Sequence, residues 1–207
     1  MQSVYKDMVV DIYSIVQTLP LEGTVLENID YRLSTTKESR VGAMMHPVLR
    51  TLTLRIGDQF RGRGDTTRTV TGLGYCLCPL CSLLHEYGHF FDLVVYKNRD
   101  LEPLFNTRYS FHEAEALAST FAFYLLFPED SWQRRAKRLA YQLYVCNAPM
   151  GEKGKNLSHK ALSEEVAKWE EGYPAVFAIL RGLIQEVCLE FPELYRTYPY
   201  YFLTSNN

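Results

Sequence analysis

No run of about eighteen apolar residues occurs in the 207-residue chain, so no membrane-spanning helix is expected. Charge of one sign is lacking as well: 22 Lys and Arg stand against 24 Asp and Glu, a formal net charge of −2. That balance gives no electrostatic ground for a nucleic-acid partner or an anionic membrane surface. The N-terminal stretch carries Lys6 and Asp7 and has neither a continuous apolar core nor a small-residue cleavage site, so it does not read as a signal peptide. A cytoplasmic protein is the expectation, with signal-independent secretion left open. Cysteine is sparse and odd in number: Cys76, Cys78, Cys81, Cys146 and Cys188. An odd count in such a setting argues against a disulfide framework. Histidine is scarce too, at five residues.

What is present suffices for a folded domain. Hydrophobic residues make up 47% and charged residues 22%, which is ordinary for a protein with a packed core. No internal repeat, low-complexity tract or inter-domain linker is visible, so residues 1–207 read as a single domain. The basic run Gln133–Arg138 reads as the solvated face of a helix.

Apolar residues at helical spacing from Val4 to Leu19 predict an amphipathic helix stopped by Pro20. Thr24 to Leu33 is a weak strand candidate, and Lys37 to Arg40 an exposed connection. Val48 to Ile56 alternates in hydrophobicity and predicts a strand. Gly57 to Asp65 is a Gly-rich polar loop without a phosphate-binding ending. A helix is expected from Pro79 to about Tyr96, since Pro is favoured at a first helical position. Phe111 to Phe127 predicts a second long helix, with Ser110 and Glu113 forming a capping box and Pro128 ending it. Further helices are expected over 130–145, 158–171 and 174–190, with a loop over 151–156. The sum is an α+β chain, mostly helical, with a small N-terminal sheet.

Within the helix that starts at Pro79 stand His85-Glu86-Tyr87-Gly88-His89, the pattern H-E-x-x-H. Helical positions four apart share one face. Two imidazoles placed so can hold one zinc ion, and the carboxylate after the first can act as general base to a bound water. A catalytic zinc needs a third protein ligand and an open position for water. Asp92, three residues after His89, is better placed to orient a ligand than to bind. The following helix offers Glu113 and Glu115 as candidates. His112 lies one turn before Glu115 and could hold that carboxylate or stabilise an oxyanion. Tyr109 and Arg108 precede the same helix. Cys76, Cys78 and Cys81 form C-x-C-x-x-C, which reads as reduced thiols packed near the first helix; the other reading is a cysteine-organised zinc scaffold.

The arrangement of H-E-x-x-H and a Glu on the next helix resembles the gluzincin metallopeptidases. More narrowly, Glu113-Ala114-Glu115-Ala116, then Phe121-Ala122 and Leu125-Leu126-Phe127-Pro128, resembles the ImmA/IrrE family over roughly residues 80–130. The interval from Glu115 to Phe121 is about two residues longer than is usual in that family. The resemblance implies a zincin-like (minigluzincin) fold with Zn2+ held by His85, His89 and Glu115. It also implies hydrolysis of a peptide bond, with Glu86 as base, in a narrow protein or peptide substrate. By analogy with gluzincins, the strand from Arg50 to Ile56 is expected to be the sheet edge along which an extended peptide lies. An inactive zincin fold that binds a partner is the alternative.

Overall fold

The computed structural model describes residues 2–36, 42–57, 79–97, 111–145 and 158–192. Helix α1 (Gln2–Gln17) is followed by strands β1 (Asp30–Thr36), β2 (Ala43–His46) and β3 (Thr51–Gly57). Helix α2 (Pro79–Phe90) runs directly into a π-helical turn (Phe91–Val95). Four helices complete the described chain: α3 (Phe111–Leu126), α4 (Trp132–Val145), α5 (His159–Gly172) and α6 (Pro174–Glu190). The fold is α+β and mostly helical, as the sequence predicts. Among the described residues no single helix is long and apolar enough to cross a membrane.

The sheet order is β1-β3-β2, with β1 parallel and β2 antiparallel to β3. Three expectations are corrected here. First, β3 is the central strand, so the segment expected to form the edge is enclosed on both sides; the edge nearest α2 is β2, a segment whose sequence predicts no element. Four residues, Ala43-Met44-Met45-His46, without a β-branched side chain, carry too little strand signal to be read alone. Second, strand Val48–Ile56 starts only at Thr51, because Pro47 to Arg50 turn the chain from β2 into β3 and Arg50 takes φ 49°. Third, Thr24 to Ile29 form hydrogen-bonded turns, Glu27 N to Thr24 O and Ile29 N to Leu26 O, and the strand begins at Asp30.

Core packing follows the predicted faces. Met8, Val9, Ile12 and Val16 of α1 are buried, and α1 packs on α6, α2 and the sheet. Helix α3 is buried along most of its length, from Ala116 to Phe123 and again at Leu125 and Leu126, because it is enclosed by α2, α4, α5 and α6. The helix predicted to reach Tyr96 keeps α-geometry only to Phe90. Beyond it, Tyr96 N donates to Phe91 O at 2.9 Å, a wider turn by one residue. Phe90, Phe91 and Asp92 are all buried there. The Phe91 ring stacks on Trp169 with centroids 5.7 Å apart, and meets Phe121 and Phe177. These rings fix the end of α2 against α3, α5 and α6. Apolar burial and aromatic contact of this size dominate core energetics.

Helices α2 and α3 approach each other closely at Gly88. A Cβ at Gly88 would lie 2.7 Å from Ala118 Cα and 2.9 Å from Ala118 O. Gly at that position of H-E-x-x-H lets the two helical backbones nearly touch. The consequence is functional in placement: α3 is held so close that a carboxylate one turn before Ala118 reaches across to α2. On the other side of α2, the buried Tyr87 hydroxyl lies 2.8 Å from Tyr31 Oη, tying the helix to β1. Burial pushes the Tyr31 hydroxyl up to about 12, so this pair stays neutral over the working pH range.

Candidate metal centre

His85 and His89 stand one turn apart on α2, their rings edge to face with centroids 4.6 Å apart. Glu115 of α3 reaches both. Its Oε2 is 2.9 Å from His85 Nε2 and its Oε1 3.3 Å from His89 Nε2. One ligand atom from each of the three lies within 4.8 Å of the others, and this is the group among the described residues that could hold a metal ion. Four ligands at about 2.1 Å in a tetrahedron sit roughly 3.4 Å apart, so the observed separations suit a single small cation. Two imidazoles and one carboxylate are a donor set that suits a borderline-soft divalent ion. The imidazoles are 14% exposed and the carboxylate 31%, so the centre is neither sealed nor open on all sides.

The electrostatics of the three groups are coupled. Burial pushes the Glu115 carboxyl up, but the hydrogen bonds and charges of His85 and His89 outweigh it and hold the group well below the usual carboxylate range. Burial pulls His89 down, but its bond to Glu115 and the charges of Glu115, Glu86 and Asp92 raise it above its ordinary value. Glu115 thus favours the charged form of His89, and a cation held by the three groups would compete with that proton.

Two supporting groups escaped sequence reasoning. Ser119 Oγ lies 3.1 Å from His85 Nδ1 and is buried. When Nε2 carries the proton it donates to Glu115 and Nδ1 accepts from the Ser119 hydroxyl; when Nδ1 carries it, Nδ1 donates to Ser119 and the Nε2 lone pair is free for a cation. Such partners set ligand tautomer and orientation. A signal existed, since Ser119 follows Glu115 by one helical turn and shares its face. The second group is the Met45 main-chain N–H, which donates to Glu86 Oε2 at 2.6 Å. No sequence pattern identifies a backbone donor on an unassigned strand.

The remaining expectations fall as follows. Glu86, predicted as base, is buried beside the centre, and its charge acts on His89. Asp92 is buried and acts on His89 in the same way. The structure brings Glu115 to both imidazoles. Glu113 and His112 lie in the first turn of α3, and their side chains are outside the described residues. Also outside are Cys76, Cys78, Cys146, Arg108, Tyr109, the connection at 37–40 and the loops at 58–65 and 151–156. Cys81, the member of C-x-C-x-x-C among the described residues, is buried on α2, and Cys188 is buried on α6.

No protein-family model, no curated protein and no solved structure matches this chain.

Proposed function

We propose that this chain is a zinc-dependent metallopeptidase that hydrolyses a peptide bond in a narrow protein or peptide substrate. The observation that carries the reading is the convergence of Glu115 on both imidazoles of an H-E-x-x-H helix, with Glu86 buried against the same centre. His85, His89 and Glu115 would hold the zinc. When bound, zinc polarises a carbonyl and lowers the pKa of a water toward neutrality.

The chain's own residues supply the rest. Glu86 takes a proton from the attacking water and returns it to the departing amine, the acid–base exchange that a positioned carboxylate performs. Ser119 keeps His85 in the tautomer that presents Nε2. Asp92 adds negative charge near His89, which favours the imidazole as a cation ligand. Gly88 lets α3 approach until Glu115 completes the set. His112, one turn before Glu115 in sequence, is proposed to assist at the developing oxyanion.

The test is hydrolysis of a quenched fluorogenic peptide library by zinc-loaded chain beside Glu86→Gln. The wild type cuts; Glu86→Gln keeps its zinc and loses about 10²- to 10⁴-fold in rate. Equal rates in the two proteins refute the assignment of the base. Full zinc occupancy with no cleavage of any library member favours an inactive fold that binds a partner.

A further inference from the structure

The Met45 amide, hydrogen-bonded to Glu86, belongs to the outer edge of β2. Arg55 N donates to Gly42 O at 3.0 Å, and these two residues continue the register in which Ala43 faces Leu54 and Met45 faces Leu52. Bonded and non-bonded pairs alternate along an antiparallel ladder. Met44–Thr53 and His46–Thr51 are therefore the bonded pairs. Ala43 and Met45 turn their main-chain groups away from β3. Among the described residues β2 pairs with no other strand, so the Met45 N–H faces outward. An edge N–H ordinarily goes to water or to another chain. Here a carboxylate rising from α2 takes it, at 2.6 Å and in a buried position. The Met45 and Ala43 side chains, meanwhile, are buried against the helix side of the sheet.

We propose that the Met45 main-chain amide is a positioning donor for Glu86, holding Oε2 so that the other carboxylate oxygen, Oε1, is the one left to exchange protons. The proposal rests on reading Glu86 as the base. A short bond from an N–H to a carboxylate is among the stronger hydrogen bonds and has a fixed direction. It limits the carboxylate to one orientation without adding a second charge to the centre. It also couples two parts of the site. A chain segment pairing with β2 at Met45 needs the same hydrogen that Glu86 holds, so occupation of this edge and orientation of the base are linked.

The experiment is amide hydrogen exchange on full-length protein labelled with 15N-methionine, which reports on at most five amides. Met44, bonded within the ladder, is the internal control. Expected is slow exchange at Met45 in the wild type, accelerated about 10- to 100-fold in Glu86→Ala, with Met44 unchanged. Equal Met45 exchange in both proteins overturns the proposal. Should Glu86→Ala loosen β2 as a whole and free Met44 too, the isosteric Glu86→Gln decides. Its weaker neutral acceptor moves the Met45 amide proton upfield while Met44 stays; an unmoved Met45 resonance overturns the proposal. Neither measurement needs metal or substrate, so failure here is distinct from failure of the peptidase reading. In zinc-loaded protein, Met45→Pro removes that N–H and no ladder bond. It should lower kcat on the cleaved library peptide and leave KM and zinc content unchanged, whereas an equal loss in all three marks a merely structural contact.

Discussion

Two buried-edge carboxylates in this molecule, Glu115 and Glu170, are both held below the ordinary carboxylate range, yet they do different work. Burial acts to raise Glu170. The Arg181 guanidinium and the Tyr124 hydroxyl, which donates to Glu170 Oε2 at 2.6 Å, lower it further than burial raises it. Glu115 meets two imidazoles instead. The guanidinium never gives up its proton, so Glu170 sits in a finished ion pair that joins α3, α5 and α6. Imidazoles exchange their protons near neutrality, and when neutral they are metal ligands. A lowered carboxylate therefore does not by itself mark a functional site. The chemistry of its partners does, and it separates a brace from a centre open to a cation.

Substitutions should widen this contrast. The largest effect after loss of a ligand is expected at Ser119. Ser119→Ala leaves His85 Nδ1 without its partner and should weaken zinc binding by about 10- to 100-fold, measured by competition with a chromophoric chelator. Unchanged affinity would mean that the 3.1 Å contact does not orient the ligand. Glu170→Gln, the matching change in the brace, should leave zinc affinity where it was.

Gly88→Ala comes next. The added methyl meets Ala118 backbone at 2.7 Å and cannot be relieved by a side-chain rotation. Overpacking of this kind costs about 1–3 kcal/mol, against which better helix propensity returns roughly 1 kcal/mol. Net destabilisation in thermal unfolding should be joined by weaker zinc binding, because Glu115 moves with α3. Loss of stability with full zinc affinity would contradict the claim that this crossing sets the ligand geometry.

Acid separates the two carboxylates again. The folded-state pKa of His89 is raised, so a proton competes with the cation up to a higher pH than at a free imidazole. Zinc affinity should rise with pH through and above the ordinary His range, and fall below it. Without zinc the signs differ between partners. The stabilisation from His89 is full below its unfolded pKa and is lost as pH rises through its raised folded value. That from Glu115 is full above the unfolded carboxylate value and is lost as pH falls through its lowered one. Glu170 follows the Glu115 sign alone: its contribution is present above the unfolded carboxylate value and disappears on acidification. The smallest effect follows from this. Glu170→Gln should cost on the order of 1 kcal/mol near neutrality, less in acid, in urea titrations at each pH. A cost that does not shrink in acid would mean the carboxylate charge is not what holds the helices.

Much of this was legible beforehand, for reasons particular to each element. H-E-x-x-H sits on a helix whose start Pro79 announces, and Pro128 marks the end of the next. Glu115 is the ligand that the family resemblance implies, and among the described residues its carboxylate meets both imidazoles. Tertiary facts were not legible. The central place of β3 depends on which strands flank it, and β2 is too short to be seen in one sequence. The π-helical turn after Phe90 arises from packing of Phe91 among rings from α3, α5 and α6. The Met45 donor is a main-chain atom, which residue identity does not encode.

The measurement closest to the central claim is metal content by elemental analysis of wild type, His89→Ala, Glu115→Ala and Glu170→Ala after zinc loading and gel filtration. The account predicts one zinc per chain in wild type and Glu170→Ala, and loss of it in the other two. Zinc retained in both His89→Ala and Glu115→Ala, or absent from loaded wild type, would contradict it.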